Sequence, residues 1–120
     1  MDVKMAVGQA LEIQGSLGAA LVDFESGLCM GTAGNPGFDL ELAAAGNAEV
    51  VRAKKSIRDK LGLVDKIEDI LITLNSQYHL IRMVGTTLFL YVALDRGKAN
   101  LGMARLELAK IDKTLDVERG

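Results

Sequence analysis

Three apolar runs follow one another between Lys66 and Arg96: KIEDILITL, QYHLIRMV and TLFLYVALDR. Only Asn75-Ser76 and Gly85-Thr86 separate them. Runs of this length, rich in Ile, Leu, Val, Tyr and Phe and broken by Asn and Gly, predict a tightly turned antiparallel meander. In the last run Leu88, Leu90, Val92 and Leu94 fall on one face, and Phe89, Tyr91 and Ala93 on the other. A strand apolar on both faces must be covered on both, which predicts helices above and below the sheet.

The rest of the pattern supplies those layers. Val3, Val7, Ala10 and Leu11 recur at helical spacing, predicting a helix over about residues 2–13 with Gly15 as its stop. Ser16–Asp23 reads as a strand and Leu28–Thr32 as its partner, joined through Glu25-Ser26-Gly27. Gly18 and Gly31 inside them imply a close neighbour overhead or a bulge. After the break at Asn35-Pro36-Gly37, Asp39 reads as the N-cap of a long helix. Leu42 at the third helical position leaves it without a capping box. This helix runs to about Leu61, before Gly62. Its expected core stripe is Leu42, Gly46, Val50, Ala53, Ile57 and Leu61, with Ala44, Ala48, Val51 and Arg52 on an open flank. A last helix opens near Gly97 or Lys98 and turns Leu101, Ala104, Leu108, Ile111 and Leu115 to the core; residues 116–120 are expected to fray.

The order is therefore α-ββ-α-βββ-α, an α/β (α+β) sandwich with a five-stranded antiparallel sheet and helices on both faces. The last strand is expected beside the first in the middle, leaving Leu28–Thr32 and Ile67–Leu74 as edges. A chain of 120 residues, 49% hydrophobic and with one proline, fits a single domain spanning 1–120 with its core over about residues 3–112.

A net charge of −2 with both signs mixed argues against nucleic acid and anionic membranes as main partners. The lone Cys29 cannot close an intramolecular disulfide and sits in the apolar run Leu28-Cys29-Met30, as a buried structural thiol would. The first residues lack a signal-peptide pattern, and no run approaches the ~18 apolar residues of a membrane helix. A soluble, cytoplasmic protein is expected.

Candidate chemistry is thin. His79 is the only histidine and Cys29 the only cysteine, so neither a metal cluster nor a catalytic triad is expected. Asp65, Glu68 and Asp69 at the entrance of the first meander strand read as guards against edge aggregation. The stretch from Gly31 to Gly37 lacks the Lys-Ser/Thr of a phosphate loop, and Gly97-Lys98-Ala99 lacks the Ser or Thr. The cations Arg52, Lys54, Lys55 and Arg58 read as a solvated helix face near an acidic partner rather than as an arginine finger. The small residues Ala44 and Ala48, four apart, would let another backbone approach. The long, proline-free edge Ile67–Leu74 invites pairing with its own copy. No catalytic residue, metal or cofactor is expected.

The segments GSLGAALVDFESGLCMGTAG, DLELAAAGNAEVVRAKKSI, IEDILITLNSQYHLIRMV and TLFLYVALDRGKANLGMARLEL, in this order, resemble a roadblock/dynein-light-chain domain over about residues 3–112. The resemblance is to bacterial members that partner Ras-like small GTPases. It implies a homodimer with one continuous ten-stranded sheet, sealed through Ile67, Asp69, Ile70, Leu71, Ile72, Thr73 and Leu74. It also implies a GTPase docked on the face of the paired second helices, here Ala44, Ala48, Val51, Arg52 and Lys55. Such a protein regulates or scaffolds signalling or motility without catalytic residues of its own. The alternative is a profilin-like or PAS-like small-molecule sensor, with an internal cavity lined by Leu21, Met30, Met83 and Phe89.

Overall fold

The computed structural model of the chain describes residues 1–115. The 116–120 tail, expected to fray, lies outside the described residues. The elements are α1 (Val3–Leu11), β1 (Ser16–Asp23), β2 (Cys29–Gly34), α2 (Leu40–Lys60), β3 (Asp69–Thr73), β4 (Gln77–Val84), β5 (Leu88–Asp95) and α3 (Leu101–Thr114). They build one antiparallel sheet in the order β2-β1-β5-β4-β3. The last strand lies beside the first, and β2 and β3 are the edges, as the pattern predicts. Val92 of β5 pairs with Ala19 on one side and Leu80 on the other.

The two faces of β5 feed two separate cores. Leu88, Leu90, Val92 and Leu94 pack with Ala6, Val7 and Ala10 of α1 and Ala104, Leu108 and Ile111 of α3. Phe89, Tyr91 and Ala93 pack with Leu40, Ala44, Ala48 and Val51 of α2. Each buried Val or Leu contributes ~1.5–3 kcal/mol of transfer free energy. The approaches at the first hairpin are close. A Cβ on Gly18 would stand 3.0 Å from Pro36 Cδ and 3.3 Å from Leu40, and one on Gly31 2.8 Å from Val3 Cγ1. The hairpin also carries the expected irregularity, a register shift between Leu21 and Val22.

Helix α2 departs from the expected orientation. Ala44, Ala48 and Val51 are fully buried, whereas Leu42 is 72% exposed, Ile57 49% and Leu61 66%. The core stripe and the open flank have exchanged places. The sheet explains why. It already presents Phe89, Tyr91 and Ile81 toward α2, with Phe24 beside them. A helix can settle on such bulk only through small side chains, because interiors fill to a fixed density.

Smaller differences lie at element ends. Helix α3 begins at Leu101, not near Gly97, because Asp95 first closes a turn. Its side chain accepts from Gly97 N at 2.9 Å, and its carbonyl from Ala99 N at 2.9 Å. Asn100 is then the N-cap, accepting from Met103 N at 3.0 Å. Ile67, Glu68 and Leu74 fall outside β3, although Met83 N still donates to Glu68 O at 3.0 Å.

The tight α2–sheet contact gives a stability prediction. Ala48→Leu should destabilise the fold by about 1–3 kcal/mol through overpacking. Ala45→Leu, on the exposed flank, should stay within about 0.5 kcal/mol. Urea midpoints of the two variants at constant slope check this, and equal effects would contradict the assignment of faces.

Candidate protein interaction surface

Among the described residues β3 is paired to β4 alone, from Asp69 opposite Arg82 to Thr73 opposite Tyr78. Its outer row of N–H and C=O groups has no strand beside it. Ile70 packs against the α2-side core and Leu71 against the other, and both are half-buried, as is Ile72. Asp69 serves a purpose other than guarding the edge. Its carboxylate accepts from Arg105 Nε of α3 at 2.9 Å and from Nη2 at 3.4 Å. The pair ties α3 to the start of β3.

Helix α2 carries a second apolar arc. At 100° per residue, Leu40, Ala44, Asn47, Ala48 and Val51 form the buried arc, and Leu42, Gly46, Val50, Ala53, Ile57 and Leu61 form another. Only the strip holding Glu41, Ala45, Glu49, Arg52, Ser56 and Asp59 separates them on one side. Arg52 donates through Nη1 to Phe24 O beside the β1–β2 hairpin, while Arg58 shares a pocket with Phe24, Ile67 and Met83.

Of the five partner-facing residues expected on α2, Ala44, Ala48 and Val51 lie in the core and cannot meet a partner. Arg52 is exposed and Lys55 half-buried. Lys55 Nζ lies 4.9 Å from the centroid of the Phe24 ring. The large apolar residues that α2 exposes instead are Leu42, Val50, Ile57 and Leu61. Their signal was in the sequence: a helix apolar over two arcs has two surfaces to cover.

A polar chain crosses between α2 and the sheet. The Tyr91 hydroxyl is hydrogen-bonded by Asn47 and lies 3.1 Å from His79 Nδ1, while His79 Nε2 lies 2.8 Å from Gln77 Oε1. Phe38 stacks near the imidazole at 5.8 Å between centroids. Burial pushes the Tyr91 phenol up to about 12 and the His79 imidazole down from its ordinary value. Cys29 is half-buried, and burial raises its thiol pKa, the opposite of what an activated nucleophile needs.

Among the described residues no three His, Cys, Asp or Glu side chains converge as metal ligands, and no helix is long and apolar enough to cross a membrane. The four residues expected to line an internal sensor cavity do not share one: only Met83 and Phe89 meet, as cross-strand partners in one core. Leu21 and Phe89 belong to cores on opposite faces of the sheet, and Met30 is 40% exposed. Alternation along paired strands forces that separation.

No protein-family model matches the sequence, and no characterised protein matches it closely enough to count as a relative. Solved structures do match in shape. MglB of Myxococcus xanthus superposes with a TM-score of 0.82 at 20% identity, covering 92% of this chain and 89% of that one. A Roadblock/LC7 domain from Streptomyces avermitilis gives 0.82 at 17% identity, covering 95% and 94%. The gliding protein MglB of Thermus thermophilus gives 0.71 at 18%, covering 93% and 89%. The chain has the roadblock/LC7 fold.

The His79 geometry sets a pH dependence. Its folded-state pKa lies below the unfolded value near 6.5, so the unfolded chain binds the proton more readily. The stability associated with neutral His79 is fully present above that value and is lost as pH falls from it toward the depressed folded pKa. His79→Gln should remove this slope. Urea midpoints measured across the window check it, and an unchanged slope in the variant would contradict the assignment.

Proposed function

We propose that the chain is a roadblock domain of the MglB kind, a homodimeric interaction module that binds and regulates a Ras-like small GTPase in a bacterial signalling or motility system. The observation that carries this reading is the joint presence of an exposed apolar arc on α2, Leu42, Val50, Ile57 and Leu61, and an open β3 edge. Each feature alone would be a liability. Together they match one two-fold contact. Two β3 strands pair into a continuous ten-stranded sheet through Ile70, Leu71 and Ile72, with Asp69, Thr73 and Leu74 beside the seam and Ile67 at its end. The outer arcs of the two α2 helices then meet above it.

The partner face is the outer surface of that helix pair. With Ala44, Ala48 and Val51 taken by the core, Arg52 and Lys55 are the α2 residues proposed to contact the GTPase. Arg52 is tethered to the Phe24 carbonyl, which favours a docking role over insertion into a phosphoryl-transfer site. Regulation would proceed by reshaping the GTPase's own residues, or by scaffolding, without a catalytic group from this chain. The resemblance in sequence to bacterial roadblock domains, and the likeness in fold to MglB, support the partner class. The name gliding protein, borne by one of the similar structures, supports the motility setting. The single domain is taken as residues 1–120, acting in the cytoplasm.

Assembly and partner binding are tested separately. Light scattering at micromolar concentration should show a dimer for the native chain and a monomer for Ile72→Lys and for Ile57→Glu. A monomeric native chain would sink the seam. Mixing the protein with a Ras-like GTPase from the same genome should give a complex in one nucleotide state, and an Arg52→Glu/Lys55→Glu variant should weaken it at least about tenfold. The absence of a complex in both nucleotide states would refute the reading. Single-turnover GTP hydrolysis then separates the two roles: faster turnover marks an activator, and binding alone a scaffold.

A further inference from the structure

The C-terminal half of α2, Phe24, the segment entering β3 and the β4–β5 turn border an open pocket of about 260 Å³. Lys55, Arg58 and Lys66 line it, and no carboxylate does; Phe24, Ile67 and Met83 give it an apolar floor. The chain as a whole carries more acidic than basic residues, 16 against 14, so this local excess does not follow from composition.

Ordinary roles leave the cluster unexplained. Cations in the last turn of a helix offset its C-terminal dipole, and Arg58 and Lys60 of α2 do so. Lys55 lies more than a turn before the end, however, and Lys66 lies beyond the helix. Nor are the two lysines neutralised. Among the described residues the ion pairs of the chain include neither Lys55 nor Lys66. Lys55 rests instead on the Phe24 ring.

Arg58 is held in place from both sides. Asp59 accepts from Nε at 3.1 Å and from Nη2 at 2.9 Å, and the Asp65 carbonyl accepts from Nη1 at 3.3 Å. The Asp59 side chain is 65% exposed, so the pairing orients the guanidinium while water screens much of its charge. The Arg58 side chain itself is only 22% exposed. Like charges gathered around one pocket repel one another, and an entering anion relieves that repulsion. The adjoining groove, bounded by Arg52 and Lys60 but also by Glu25 and Asp59, carries both signs and lacks this bias.

We propose that this pocket is an anion site for a compact phosphate-bearing ligand. Two ammonium groups and an oriented guanidinium match a phosphate dianion better than a single carboxylate. The floor of Phe24, Ile67 and Met83 accommodates an apolar or planar body beyond the phosphate. The site shares Lys55 with the proposed GTPase face and Ile67 with the end of the proposed seam, but it does not rest on that reading and is tested without a GTPase.

The test is amide chemical-shift mapping of the full chain titrated with pyrophosphate, against sodium chloride at matched ionic strength. Saturable shifts are expected at residues 55–58, 66–67 and 85–86. Lys55→Gln and Lys66→Gln should each weaken binding about tenfold, with spectra otherwise native. A second arm uses phosphatidylcholine vesicles containing a phosphatidylinositol phosphate. Co-sedimentation that depends on the same lysines identifies a lipid headgroup as the source, and pyrophosphate binding alone identifies a soluble ligand. The proposal is overturned if neither probe binds, if salt reproduces the shifts, or if both variants bind as the native chain does. Tighter binding of a polyglutamate peptide at the same residues would also overturn it.

Discussion

The seven residues from Leu88 to Leu94 of β5 are all buried, and the strand is hydrogen-bonded along both sides. Among the described residues no other strand is so constrained, and the other elements are arranged to satisfy it. Its side chains alternate into two cores, so the sheet needs a layer on each face. The aliphatic face receives α1 and α3. Of the helices, the face holding Phe89 and Tyr91 receives α2 alone, and because it is already bulky it admits the middle of α2 through Ala44, Ala48 and Val51. The larger apolar residues of α2 are left outside. The exposed arc proposed as a contact surface is therefore a consequence of how the core is filled.

Polar contacts then fix the rotation of α2 about its own axis. Alanine and valine alone would tolerate a range of rotations over an apolar sheet. Asn47, the one buried polar residue of the described chain, and the buried Tyr91 remove that freedom. A buried hydroxyl needs its partners, and losing one costs about 1–3 kcal/mol. Asn47 and His79 supply them, with Gln77 on the far side of the imidazole. At the other end Arg52 holds the Phe24 carbonyl. These two anchors, more than a helical turn apart, decide that Leu42, Val50 and Ile57 face outward.

The strands were legible because their signal is local: alternation, β-branched and aromatic residues, and Asn or Gly at each turn. The edge positions of β2 and β3 followed from the same reasoning. The face of α2 was not legible, because the deciding residues, Phe89 and Tyr91, lie some forty positions further along the chain. Judged by size alone, Leu42, Ile57 and Leu61 outrank Ala44 and Ala48 as core candidates. The start of α3 was missed for a local reason. Asp95 closes its own turn over Gly97, and the true cap, Asn100, stands just past it. The Asp69–Arg105 pair spans 36 positions, and nothing in either segment announces it.

The two sheet edges differ physically, and the difference bears on which of them could pair. Strand β2 is overlaid by α1, whose Val3 closes on Gly31, and by α2. It is also broken by the register shift opposite Leu21 and Val22. A bulged, covered strand is a poor template for another chain. Strand β3 keeps an unbroken register with β4 from Asp69 to Thr73, and β4 is its only extensive contact. Arg105 holds Asp69 toward α3, so the strand's own acid is drawn off the seam. A regular, uncovered edge offers the backbone hydrogen bonding a two-fold interface needs, and the exposed arc of α2 offers apolar surface to bury with it, whereas β2 is bulged and covered. That asymmetry is the physical ground for placing the proposed seam at β3.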